Sequence, residues 1–133
     1  MLTLNEESDL PACLSSLSDL AAETFVVDSG STDSTLEIAR KFGASVLVHT
    51  FKNYSQQRNW ALDNLPFTQE WILHLDADHR LTPALRKELQ RQFQNGAPNS
   101  IQGFLIRRRT IFLGKWIRFG GHYPVYHAVL FQR

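Results

Sequence analysis

This chain of 133 residues has one cysteine, one methionine, no long apolar run and no carboxylate beyond Glu88. A single thiol excludes an internal disulfide framework. Cys13 shares helical spacing with Leu10, Leu14 and Leu17, which reads as a buried apolar side chain and not a nucleophile. No segment approaches the ~20 apolar residues of a membrane span. Met1 leads almost directly into polar Asn5-Glu6-Glu7, so no signal peptide is visible and the expected location is cytoplasmic. No Gly-Lys-Ser/Thr follows a glycine loop, and Gly30 stands alone in its turn; both a P-loop and a dinucleotide fingerprint are excluded. Internal repeats, low-complexity tracts and interdomain linkers are also missing, so a single domain over residues 1–133 is expected.

The missing carboxylates make the charge lopsided. Residues 1–88 carry seven Lys/Arg against thirteen Asp/Glu, and residues 89–133 carry seven Lys/Arg against none. The net charge of +1 therefore hides halves of −6 and +7. A basic half suits an anionic partner, such as phosphates or a membrane surface; a strand with one solvated face is the plainer explanation. Nucleic acid is not expected, because Arg107-Arg108-Arg109 falls in a strand pattern and its side chains alternate faces.

Periodicity supplies the fold class. Leu2–Leu4 is a strand stub, and Asn5 is expected to cap a helix with Leu10, Cys13, Leu14, Leu17 and Leu20 on one face. Thr24–Val27 is a short buried strand ending at Asp28. A helix from about Asp33, with Ser34 and Glu37 spaced as a capping box, closes at Gly43. Ala44–Val48 is a third strand, Asn53–Ser55 opens a helix to Asn64, and Glu70–Leu75 is a fourth strand. Thr82 and Pro83 start another helix as N-cap and N1. A loop over 95–100, a strand over Gln102–Thr110, an irregular or hairpin segment to Pro124 and a strand over Val125–Phe131 follow. Strands alternating with helices predict an α/β fold, a mostly parallel sheet with helices on both faces.

Chemistry concentrates where strands end. Trp71-Ile72-Leu73-His74-Leu75 stops at Asp76-Ala77-Asp78. In extended chain, residues two apart point the same way, so both carboxylates can face one hard cation, Mg²⁺ or Mn²⁺. Two capping aspartates in a solvated loop are the alternative. Arg80 is placed to support their charge, and His79 to approach a metal or substrate. Asp28-Ser29-Gly30-Ser31-Thr32-Asp33 follows one strand and opens a helix; it can hold polar edges of a nucleotide, or it is turn and capping chemistry alone. Arg58 can pair with a diphosphate or be an ordinary surface arginine. His74 reads as a core histidine, and His122 and His127, near Tyr123 and Tyr126, as cleft-lining. The ends Asn5/Glu6, Asp28-Ser29-Gly30 and Asp76-Ala77-Asp78 are expected on one sheet edge, where open α/β sheets bind ligands.

Four segments in this order, Leu2-Thr3-Leu4-Asn5-Glu6-Glu7, Val26-Val27-Asp28-Ser29-Gly30-Ser31-Thr32-Asp33-Ser34-Thr35, Gln57-Arg58-Asn59 and Leu75-Asp76-Ala77-Asp78, resemble the family 2 glycosyltransferases with the GT-A fold. The resemblance covers essentially the whole chain. Gly114-Lys115-Trp116-Ile117-Arg118-Phe119-Gly120-Gly121-His122-Tyr123-Pro124 is similar to a subgroup that builds lipopolysaccharide core or related envelope glycans. The resemblance implies inverting transfer of a sugar from a nucleotide diphosphate, most simply a UDP-sugar, to a glycan or lipid-linked acceptor, with peripheral contact at the inner face of a membrane. It implies that Leu2, Leu4 and Glu6 line the base and ribose pocket and that Asp28 accepts from the base. Arg58 would then sit near the nucleotide, Asp76 would reach ribose or metal, Asp78 would bind metal, and Ala77 would keep the backbone close.

Three departures qualify this. The first strand is a stub, position 79 is a histidine where many relatives are acidic, and no Asp or Glu follows Glu88 to serve as the general base that inverting transfer needs. The expectation is therefore a donor half, incomplete at both ends, with 101–133 beginning the acceptor side. A donor-binding module without turnover is the alternative function. A haloacid-dehalogenase-type phosphatase also places Asp-x-Asp after an apolar strand, but it expects a small residue at Arg80 and its motif in the first strand.

Overall fold

The computed structural model describes residues 1–96 and 100–133. Two compact units emerge, one from Met1–Gln69 with the segment starting at Leu75, the other from Glu70–His74 with the C-terminal segment.

The first unit is a parallel α/β layer. Strands β1 (Leu2–Thr3), β2 (Phe25–Asp28) and β3 (Ser45–Val48) form a sheet in the order β1-β2-β3. Thr3 pairs with Asp28, and Asp28 with Val48. A parallel bridge from Leu2 to Asp76 extends the same edge by one position. Helix α1 (Leu10–Leu17) buries Leu10, Cys13, Leu14 and Leu17, the face read from spacing. With Val26, Ala39, Ala44 and Ala77, Leu10 and Leu14 form the core, against which Met1, Ile38 and Val46 pack. Each fully buried leucine is worth about 2 kcal/mol of transfer free energy.

Helix starts differ from the sequence reading in instructive ways. Asn5 does not cap α1. It has φ 54°, and the helix begins five residues later with Asp9 at the N-cap and proline in the first turn. Pro11 tolerates only that first turn, since deeper in a helix it removes a hydrogen bond and clashes. The helix also ends at Leu17, before Leu20. Helix α2 (Thr35–Lys41) has Ser34 at its N-cap, but no side-chain cap forms there. The capping box is replaced by Glu7 Oε2, which takes the Ser34 N–H at 3.0 Å, and Asp33 Oδ1, which takes that of Thr35 at 3.0 Å. Glu37 pairs instead with Lys41 at 2.9 Å. Helix α3 (Tyr54–Asn64) is capped by Asn53, and α4 (Pro83–Phe93) by Thr82, as their sequences predict.

The second unit is antiparallel. Strands β4 (Trp71–Leu73), β5 (Gly103–Arg108) and β8 (Val125–Gln132) form a sheet in the order β4-β8-β5. The mostly parallel sheet expected from periodicity is thus parallel only in the first unit. The fourth strand pairs with β8 before the chain reaches the bridge at Asp76. The segment expected to be irregular or hairpin is a hairpin of β6 (Thr110–Phe112) and β7 (Lys115–Ile117). Of the loop expected over 95–100, residues 97–99 lie outside the described residues. No described helix is long and apolar enough to cross a membrane.

Candidate nucleotide and metal site

Three polar clusters of the first unit meet at the carboxyl edge of its parallel strands. The β2–α2 loop is organised by Asp28, which is fully buried. Its Oδ1 accepts the N–H groups of Gly30 and Ser31 at 2.8 and 2.7 Å, and its Oδ2 the hydroxyls of Thr3 and Ser31 at 2.9 and 2.5 Å. Burial opposes its charge, but the hydrogen bonds from Ser31, Gly30 and Thr3 outweigh that and hold the carboxyl below the usual aspartate range. All four bonds come from the chain itself, so contact of this carboxylate with a base would require one of them to exchange. Gly30, at φ 103°, makes the turn that aims these N–H groups inward.

The β1–α1 loop is stitched to this one. Asn5 N–H donates to Ser31 Oγ at 2.8 Å, Asn5 Oδ1 accepts the Thr32 N–H at 2.9 Å, and Glu6 N–H donates to Thr35 Oγ1 at 2.7 Å. Thr35 is fully buried, and its hydroxyl donates to Asp33 Oδ1 at 2.5 Å. Thr3 and Thr35 were not singled out from sequence. The signal available for Thr35 was its place two residues after Asp33 at a helix start, which is local capping geometry; no local signal marks Thr3.

Asp76 begins the third cluster. Arg58, from α3, places Nη2 3.2 Å from Asp76 Oδ1. Gln57 sets that reach: it is 1% exposed, its Oε1 lies 2.7 Å from His49 Nδ1, and its Nε2 donates to the His49 carbonyl at 3.0 Å. This locks α3 to the end of β3 and delivers the next residue, Arg58, to the edge. Ala77 is buried against α1, and Asp78 stands 70% exposed. Arg80, read from sequence as support for the aspartate pair, instead pairs with Asp9 at 3.0 Å. It ties the loop to the start of α1, and Arg58 takes the role expected of it.

Asp76, Asp78 and His79 bring one ligand atom each within 4.8 Å of one another. Two carboxylates and an imidazole form a donor set that fits Mg²⁺ or Mn²⁺, the imidazole favouring the softer ion. His79 Nδ1 accepts the Asp76 N–H at 3.3 Å, while Nε2 faces Asp78 Oδ1 at 3.7 Å and Asp76 Oδ2 at 4.0 Å. Glu6 belongs to the same field. Burial raises its pKa, and the negative charges of Asp78, Asp9, Asp33 and Asp76 push it further. A cation would relieve that repulsion. Leu2 is half-buried beside Asp76, and Leu4 is 53% exposed at the edge.

The family model for glycosyl transferase family 2 matches residues 1–128. The chain belongs to glycosyltransferase family 2. Among similar proteins, the lipopolysaccharide core biosynthesis glycosyltransferase LpsC of Rhizobium meliloti is 33% identical over 119 residues, covering 86% of this chain and 42% of LpsC. An uncharacterized glycosyltransferase of Rickettsia typhi is 29% identical over 114 residues, covering 86% of this chain and 38% of its own length. The chain thus spans about two fifths of these relatives. Among solved structures, S. aureus TarS 1–349 in complex with UDP superposes with a TM-score of 0.53 at 28% identity, over 71% of this chain and 30% of that one. Glucosyl-3-phosphoglycerate synthase from Mycobacterium tuberculosis, also with UDP, gives 0.55 at 24% identity, over 76% and 40%. Both likenesses place the fold among the GT-A glycosyltransferases.

Proposed function

We propose that this chain is the donor-binding part of an inverting glycosyltransferase that uses a UDP-sugar, and that its whole protein builds bacterial envelope polysaccharide or lipopolysaccharide. The observation that carries the reading is the convergence of Arg58, Asp76, Asp78 and Glu6 on one strand edge beside the hydrogen-bonded Asp28 loop. In this reading Leu2, Leu4 and Glu6 border the base and ribose. The Gly30–Thr32 backbone borders the nucleotide, and Asp28 acts by holding that backbone in place. Asp76 and Asp78 would hold Mg²⁺ or Mn²⁺, with His79 beside them. When bound, the ion would supply electrostatic stabilisation to the departing diphosphate. Arg58 keeps Asp76 oriented and adds positive charge on the same side. The similarity to LpsC supports a glycan or lipid-linked acceptor.

Calorimetry with UDP and Mn²⁺ tests this. Metal-dependent binding is expected, with loss in Asp78→Ala; binding that ignores both the metal and the substitution refutes the assignment. A second reading, donor binding without turnover, draws on the absence of any Asp or Glu after Glu88. Sugar transfer by this chain above the rate of donor hydrolysis would exclude it.

A further inference from the structure

The second unit carries a feature that sugar-nucleotide binding does not use. The β6–β7 hairpin turns through Leu113 and Gly114, with φ of 48° and 73°. Two successive positive φ values at a two-residue hairpin loop suit Asn-Gly, because a branched apolar side chain in the left-handed region meets its own backbone. Leucine occupies the strained position and is also 86% exposed. Phe112 beside it is 63% exposed, Ile111 60%, and Phe119 just beyond β7 85%. Neither turn chemistry nor burial accounts for this choice of residues, and a contiguous exposed apolar patch marks a contact surface.

Cations ring the apolar tip. Pairing Ile111 with Trp116 puts Arg109, Trp116 and Arg118 on one face of the hairpin. The Arg109 and Arg118 guanidiniums lie 4.6 and 4.3 Å from the Trp116 ring centre. Lys115 sits on the opposite face, next to the turn. The unit holds six Lys/Arg and one carboxylate, Glu70. That carboxylate lies by Gln132. Among the described residues, no ion pair involves Arg109, Lys115 or Arg118. Two guanidiniums held against one indole without a counter-charge repel each other, and an anion beside them removes that cost.

We propose that this hairpin docks on an anionic lipid bilayer, with Phe112 and Leu113 entering the acyl boundary and Arg109, Lys115 and Arg118 meeting headgroup phosphates. An apolar tip over a cationic collar, with a tryptophan at their junction, is the arrangement an interface of that polarity selects. A free phosphate or a nucleic acid would use the collar and leave the leucine unexplained. The inference stands apart from the nucleotide site, because none of these residues belongs to it.

The test is co-sedimentation of the chain with phosphatidylcholine vesicles, with and without phosphatidylglycerol. Binding should require the anionic lipid and weaken as salt rises. Leu113→Asn restores the favoured turn residue, so it should fold at least as well while lowering the partition coefficient about tenfold. Arg109→Gln and Arg118→Gln should each lower it about fivefold. Binding indifferent to anionic lipid, or unchanged in Leu113→Asn, overturns the proposal. So does a wild type that ignores vesicles but self-associates through the tip, with that association lost in Leu113→Asn. UDP–Mn²⁺ calorimetry on the same variants separates the two claims: hairpin substitutions leave it unchanged, and its failure in wild type would leave the vesicle result standing.

Discussion

The hydroxyl of Thr3 donates to Asp28 Oδ2 at 2.9 Å, at the level where β1 and β2 pair. This side-chain bond thus adds to the backbone pairing of the first two strands and fixes the carboxylate that shapes the β2–α2 loop. Both residues are buried, so water cannot replace either partner at low cost.

Asp28→Asn should therefore destabilise the protein by about 3 kcal/mol. The amide would turn an N–H₂ toward donors that now share a carboxylate. Urea unfolding measures the loss. The pH dependence has a definite sign. The folded-state pKa of Asp28 lies below its ordinary value, so the unfolded chain binds the proton more readily. Stability from this group is fully present above the ordinary aspartate range and falls away as pH drops through that range toward the folded pKa. Asp28→Asn should flatten that part of the acid-unfolding curve.

Glu6 should behave in the opposite way. Burial and its acidic neighbours raise its pKa, so the folded state holds the proton more tightly and ionisation costs stability as pH rises through the window above the ordinary glutamate value. Glu6→Gln should gain stability at neutral pH, by less than about 1 kcal/mol given the site's access to solvent. A thermal shift that is absent at low pH and grows toward neutrality would show it. The same substitution should weaken nucleotide binding if the side chain borders the ribose.

The Arg58–Asp76 pair separates folding from function. Both side chains are over a third exposed, so the ion pair contributes little to stability after solvent screening, under about 1 kcal/mol. Arg58→Gln should leave the urea midpoint nearly unchanged yet weaken UDP–Mn²⁺ affinity about tenfold, a loss in the range of a charged hydrogen bond. Gln57→Ala should show the reverse emphasis. It removes both bonds to His49 and should lower stability first, with affinity falling only as α3 loosens. A large stability loss in Arg58→Gln would show that the arginine is structural.

Much of this was legible in the sequence because it depends on local rules. The α1 face follows from Leu10, Cys13, Leu14 and Leu17, and the caps at Asn53 and Thr82 from residue type. The shared edge of Glu6, Asp28 and Asp76 follows from strand ends. What escaped depends on pairing across the chain. Nothing near Trp71–Leu73 signals that its partner is β8, almost sixty residues later, in antiparallel register. Apolar strands read alike in both settings. Sequence proximity put Arg80 beside the aspartates and gave Arg58 no link to Asp76; that pairing depends on α3 being fixed by buried Gln57, a residue whose type gives no hint of burial.

Register in the second unit offers a last test. At Gly103 an added Cβ would meet the Leu130 carbonyl oxygen at 3.1 Å and Phe131 Cβ at 3.4 Å. The first of these is backbone within the central strand β8, which pairs on both sides, so it has little freedom to retreat. The ladder between β5 and β8 already shifts register between Phe104 and Leu105, just after this contact. Gly103→Ala should therefore cost about 1–3 kcal/mol, in the range of overpacking, despite alanine's better strand entropy. The destabilisation should appear in hydrogen exchange as lost protection across β5 and the adjoining stretch of β8, while UDP–Mn²⁺ binding by the first unit persists. A neutral or stabilising substitution would show that β5 can slide away from β8 at this end.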